Sequence, residues 1–126
     1  MIVGSGIDLC EVDRIEKAMA ALHGTRFRER VFTAAEIAYA ESKANRAERY
    51  AARFAAKEAG MKALGTGWRN GLTWHDLEVV NLASGRPTLR LQARAAEIAE
   101  GLGVRNISLS LTHTGRQAMA LVILES

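Results

Sequence analysis

Cysteine and proline each occur once in these 126 residues, at Cys10 and Pro87. A lone cysteine forms no internal disulfide, which agrees with a reducing compartment. With no repeat, low-complexity tract or linker, the chain reads as one domain spanning residues 1–126. Aromatic residues are scarce, three Phe, two Tyr and two Trp, which leaves little for a base-stacking surface. The longest apolar run, "AMALVIL" at 118–124, falls far short of the roughly 18 residues a membrane span needs. The N-terminus also lacks a basic stretch followed by an apolar core. We expect a soluble, cytoplasmic protein without a membrane partner.

Two further patterns are missing. "GSG" at 4–6 and "GTGWRNG" at 65–71 match neither the dinucleotide-binding nor the P-loop glycine spacing. His23, His75 and His113 lack the spacing of a zinc site.

Positive charge is concentrated. Residues 26–69 hold ten Lys/Arg against five Glu, although the net charge of the whole chain is only +3. Such a stretch suits an anionic partner, whether nucleic acid, a phosphorylated cofactor or an acidic protein, and charge alone does not choose among them.

"MIVGSGIDL" alternates as a strand, with Gly4, Gly6 and Asp8 on one face and Val3, Ser5, Ile7 and Leu9 on the other. Val12, Ile15, Met19 and Leu22 then recur at helical spacing, with Gly24 as the expected stop. Thr33 and Glu36 form a capping-box pattern that starts a second helix. A third runs from Asn45 to Leu64 and carries a smooth stripe of Ala52, Ala55, Ala56, Ala59, Gly60 and Ala63, suited to close approach by a sheet or helix. "LTWHDLEVVN" and "PTLRLQ" read as strands joined by "LASGRP", "ARAAEIAEGLG" as a helix, and "NISLSLTHTG" with "QAMALVIL" as a terminal hairpin. The order is one strand, three helices, two strands, a helix and two strands, an α+β class.

Glu58 is the anomaly in this pattern. At about 100° per residue it projects among Ala47, Tyr50, Ala51, Phe54 and Met61, the apolar side of its helix. A pair with Lys62 one turn on gives only about 0.2–0.5 kcal/mol, too little to hold a carboxylate there. A hard cation such as Mg²⁺, bound by one or two carboxylates plus water and phosphate oxygens, explains it better. Asp8, on a strand face shared with two glycines, is the natural second ligand, although it could instead favour the positive end of the following helix. Arg53, Lys57 and Lys62 would neutralise phosphates around such a centre. "GTG" from Gly65 offers either free backbone N–H groups or a helix stop. His113, with Thr112 and Thr114 beside it, is either a turn residue or a substrate contact.

"GIDLCEVDRI" (6–15), "RFAAKEAGMKALGTG" (53–67), "GRPTLRL" (85–91) and "SLSLTHTGRQAMALVI" (108–123) together resemble the landmarks of the bacterial holo-acyl-carrier-protein synthases, the small 4′-phosphopantetheinyl transferases. The resemblance runs through the whole chain in the family's order. It implies that fold and a Mg²⁺-dependent transfer of 4′-phosphopantetheine from coenzyme A to a serine of apo acyl carrier protein, releasing adenosine 3′,5′-bisphosphate, in fatty acid biosynthesis. Carried over, Asp8 and Glu58 are metal ligands, and Lys62 meets the pyrophosphate. Glu58, or a water it orients, is the candidate base. Arg53 and Gly65 join the coenzyme A site, Gly85 and Pro87 line its adenine end, and Thr112, His113 and Thr114 contact coenzyme A held by the next subunit of a homotrimer. Arg14 belongs to the helix that receives the acidic carrier protein.

Two positions depart from the family pattern: Thr112 replaces a serine, and Gln117 stands where an aromatic residue is common. Met1 and the closing hairpin favour a free-standing protein over a domain of a larger synthase. The competing reading is a non-enzymatic basic module that binds nucleic acid through residues 26–69. That reading offers no reason for Glu58.

Overall fold

The long helix organises the molecule. The computed structural model describes residues 1–126, and in it α4 (Arg46–Leu64) is buried along most of its length. Before it come β1 (Ile2–Glu11), α1 (Val12–Ala20), α2 (Gly24–Val31) and α3 (Ala34–Glu41). After it come a 3-10 turn (Trp74–Asp76), β2 (Leu77–Asn81), β3 (Pro87–Leu91), α5 (Ala93–Gly101), β4 (Asn106–His113) and β5 (Gln117–Glu125).

The class is α+β, but four helices precede the first hairpin where the sequence pattern gave three. α1 ends at Ala20, and Gly24 opens α2 instead of closing α1. A Cβ at Gly24 would lie 1.8 Å from the Met19 carbonyl oxygen, so this glycine serves the close turn between the helices. The strand expected from Leu72 starts only at Leu77, because Trp74–Asp76 coils into the 3-10 turn.

β1, β5 and β4 form an antiparallel sheet in that order, and β2 pairs with β3 as a separate hairpin. Ala118, Ala120, Val122 and Leu124 of β5 and Leu109 of β4 are buried. Their partners on β1 are Cys10, Asp8, Gly6 and Gly4, so this face of the sheet lies on the small-residue stripe of α4. Ile7, Leu9, Met119 and Leu121 occupy the opposite face and are 38–57% exposed. Ile7 pairs with Leu121 and Leu9 with Met119, making one contiguous apolar patch.

On its far side α4 meets α3 and β2. The Thr33–Glu36 capping box forms as the sequence indicates. Lys57 is fully buried there, 2.8 Å from Glu36 Oε1, and donates to the carbonyls of Trp74 and Leu77. Glu36 Oε2 accepts from Val79 N–H. A buried charge keeps its ionised form only with such partners.

Candidate active site

Glycine brings the first group of residues together. A Cβ on Gly6 would lie 1.9 Å from Ala59 O, and one on Gly4 would lie 2.2 Å from Ala63 O. Only glycine lets β1 rest directly on the backbone of α4. Asp8 follows on the same strand face and meets the turn of α4 that carries Glu58 and Lys62.

Lys62 Nζ donates to Asp8 Oδ1 at 3.1 Å and to Ile7 O at 3.0 Å. The lysine therefore pairs with Asp8, and Glu58 is left without an ion pair within 4 Å. Burial, reinforced by the charge of Asp8, holds the half-buried Glu58 carboxyl above the usual range. Trp68, Lys62 and Arg14 pull it partly back. The indole Nε1 of Trp68 is buried and completes no hydrogen bond of its own. Trp68 packs against Trp74 at 4.0 Å between ring centroids with the rings tilted by 32°, and Trp74 stacks on Phe54 at 5.1 Å. Cys10 is buried beside the pair, and its thiol is pushed up to about 11 by burial and then by Asp8, so it is not a nucleophile.

These donors fit a hard cation. No three His, Cys, Asp or Glu side chains converge anywhere, so the protein offers no complete ligand cage. Two adjacent carboxylates, one of them lacking a cation and resisting ionisation, provide what a Mg²⁺ completed by water and phosphate oxygens requires.

A second group lines a cavity of about 200 Å³ that includes Tyr39, Arg49, Arg53, Asn81, Gly85, Pro87 and His113. The Arg53 guanidinium lies 3.9 Å from the Tyr39 ring centroid, and its Nε has no partner. Burial works to raise the Tyr39 phenol, but Arg53, Arg49, Asn81 and Lys43 together bring it below its ordinary value. Arg49 and Arg53 make this wall positive. His113 closes it, with Nδ1 2.9 Å from Glu48 Oε2.

The two groups occupy different sides of α4. Five residues separate Arg53 from Glu58, about 140° around a helix of 100° per residue. Arg53 and Lys57 share one side, Glu58 and Lys62 the other. The expectation that Arg53 and Lys57 flank a cation at Asp8 and Glu58 is therefore corrected: Lys57 is sealed in the core by Glu36, and Arg53 faces the second cavity. Gly65 is also corrected as a free backbone donor. Its φ of 81° closes α4, and its N–H bonds to Met61 O and Lys62 O.

Thr112 is exposed on the open sheet face, opposite Met119. The Thr114 hydroxyl accepts from the N–H groups of Arg116 and Gln117 and so fixes the β4–β5 turn. Arg14 is exposed on α1, close enough to affect Glu58. Tyr39, Glu48 and Trp68 were not singled out in the sequence. Their contacts cross between elements, and only the unusual placement of Trp68 after "GTG" offered a signal.

The sequence model of the 4′-phosphopantetheinyl transferase superfamily matches residues 4–122. A holo-[acyl-carrier-protein] synthase of Solibacter usitatus is 61% identical over 126 residues, covering all of both chains. The crystal structure of the Neisseria meningitidis holo-[acyl-carrier-protein] synthase superposes with a TM-score of 0.90 at 29% identity, covering all of both chains. That of Bacillus anthracis, in complex with CoA (3′,5′-ADP), gives 0.80 at 38% identity, covering 100% of this chain and 98% of that one.

Proposed function

The chain belongs to the 4′-phosphopantetheinyl transferase superfamily, and from that premise we propose how its residues carry out the transfer. The enzyme moves 4′-phosphopantetheine from coenzyme A to a serine hydroxyl of apo acyl carrier protein, in fatty acid biosynthesis. The observation that carries the assignment of roles is the convergence of Asp8 and Glu58 through the β1–α4 glycine contact.

Asp8 and Glu58 would hold the magnesium ion. When bound, it supplies positive charge to the pyrophosphate of coenzyme A and lowers its repulsion of the incoming hydroxyl. Lys62, already at Asp8, neutralises the leaving phosphate. The serine oxygen bonds to the phosphorus nearest pantetheine, the bond from that phosphorus to the bridging oxygen breaks, and adenosine 3′,5′-bisphosphate departs. Glu58, or a water it orients, is the candidate acceptor of the serine proton. The Arg53 cavity takes the anionic nucleotide end of coenzyme A, and exposed Arg14 meets the acidic carrier protein beside Glu58.

The two halves face apart in one chain, which favours an active site shared between subunits of a homotrimer. The apolar patch of Ile7, Leu9, Met119 and Leu121 supports burial against further copies. We assign the reaction to the cytoplasm; no helix is long and apolar enough to cross a membrane. The nucleic-acid reading draws no support from the relatives, which are holo-[acyl-carrier-protein] synthases.

The test is incubation with coenzyme A, Mg²⁺ and an apo carrier protein, read by intact mass. We expect the mass of the prosthetic arm to be added by the native enzyme and not by Asp8→Ala or Glu58→Ala. Full transfer by both variants would overturn the role of the pair.

A further inference from the structure

Glu48 lies in the first turn of α4, and His113 is the last residue of β4. His113 Nδ1 is 2.9 Å from Glu48 Oε2, with both side chains about three-quarters buried. Asn45 Nδ2 also donates to Glu48 Oε2, at 3.3 Å. The neighbouring cation Arg49 is bonded elsewhere, through its Nε to Asn45 Oδ1 at 3.2 Å. Glu48 forms no ion pair with any Lys or Arg, so its carboxylate is held for the imidazole.

The chemistry of the pair sets the tautomer. An ionised carboxylate has no proton to give, so Nδ1 must carry the hydrogen. Nε2 makes no hydrogen bond within the chain, and the ring borders the cavity that Arg49 and Arg53 also line. A ring nitrogen acquires a defined role when the other nitrogen is fixed by a carboxylate.

We propose that Glu48 is the positioning residue for His113: by accepting from Nδ1–H, it fixes the ring so that Nε2, protonated in the complex, donates to the anionic nucleotide end of coenzyme A. This rests on the reading of the cavity as the nucleotide subsite. Glu48 does not touch substrate; it acts through His113.

The experiment compares Glu48→Ala, Glu48→Gln and His113→Gln in the full-length protein. Side-chain ¹⁵N shifts of His113 report the tautomer, calorimetry reports binding of adenosine 3′,5′-bisphosphate, and steady-state kinetics separate kcat from KM for coenzyme A. Glu48→Ala is expected to release the Nδ1–H tautomer, to weaken bisphosphate binding and raise KM about tenfold, and to leave kcat within about twofold. Glu48→Gln keeps an oxygen that accepts from Nδ1–H and should recover most of that loss. An unchanged tautomer in Glu48→Ala overturns the proposal. So does equal impairment by Ala and Gln accompanied only by a lower Tm, which would make the contact structural. Unchanged bisphosphate affinity in His113→Gln would instead overturn the nucleotide reading of the cavity, and the proposal with it. The tautomer measurement does not depend on that reading, so the two failures are distinguishable.

Discussion

Glu58 has a stability signature of its own. Its carboxyl is raised in the folded protein by burial and by Asp8, so between the ordinary glutamate value and its folded value the native state binds more protons than the unfolded chain. Stability then falls as pH rises through that window, because ∂ΔG/∂pH follows the protons bound by the unfolded state minus those bound by the native state. In metal-free buffer, Glu58→Gln should therefore raise Tm at neutral pH by on the order of 1–3 °C, a modest gain because the group is only half-buried. The gain should vanish below the ordinary glutamate value. Added Mg²⁺ should raise the Tm of the native enzyme and not that of the variant. A thermal shift series in pH and Mg²⁺ checks both expectations, and a lower Tm for Glu58→Gln at neutral pH would contradict the account.

Two contacts made by α4 fix where these residues point. On the β1 side, Gly6→Ala forces a methyl group to within 1.9 Å of Ala59 O. Neither backbone can yield cheaply, so we expect a loss of about 3 kcal/mol in urea unfolding, with activity lost as Asp8 moves off Glu58. On the α3 side, Lys57→Met leaves Glu36 buried without its cation and should cost about 3–5 kcal/mol. Much of this architecture was legible in the sequence. The glycines beside Asp8 and the alanine stripe of α4 each announced a close approach, and they meet each other. The capping box fixed the start of α3. Lys57 was misread because its spacing from Arg53 was not carried around the helix: the two share a side from which Glu58 is turned away by about 100–140°. α2 was missed because Gly24 has the appearance of a terminator. Only three-dimensional proximity to Met19 O reveals that it serves packing.

At the scale of the whole molecule, one chain holds every proposed residue yet divides them between the β1 side of α4 and the Arg53 cavity. In a cyclic trimer, the Asp8–Glu58 half of each chain would face the Arg53–His113 half of its neighbour. This arrangement makes a prediction that a self-contained site does not. Glu58→Gln and the double variant Arg53→Ala/His113→Gln should each be nearly inactive as pure trimers, and each should have the mass of three chains by light scattering. Subunits exchanged by dilution and reassembly at equal concentrations should regain about one quarter of native activity, since a quarter of randomly formed interfaces join an intact half from each variant. Replacing Leu121 with Lys puts a charge in the exposed apolar patch. It should yield monomers and abolish the recovery, while the far-ultraviolet spectrum shows the fold intact. Exchange that is confirmed by mass spectrometry but gives no recovery would mean that Glu58 and His113 of a single chain serve the same substrate, and the shared-site assembly would have to be abandoned.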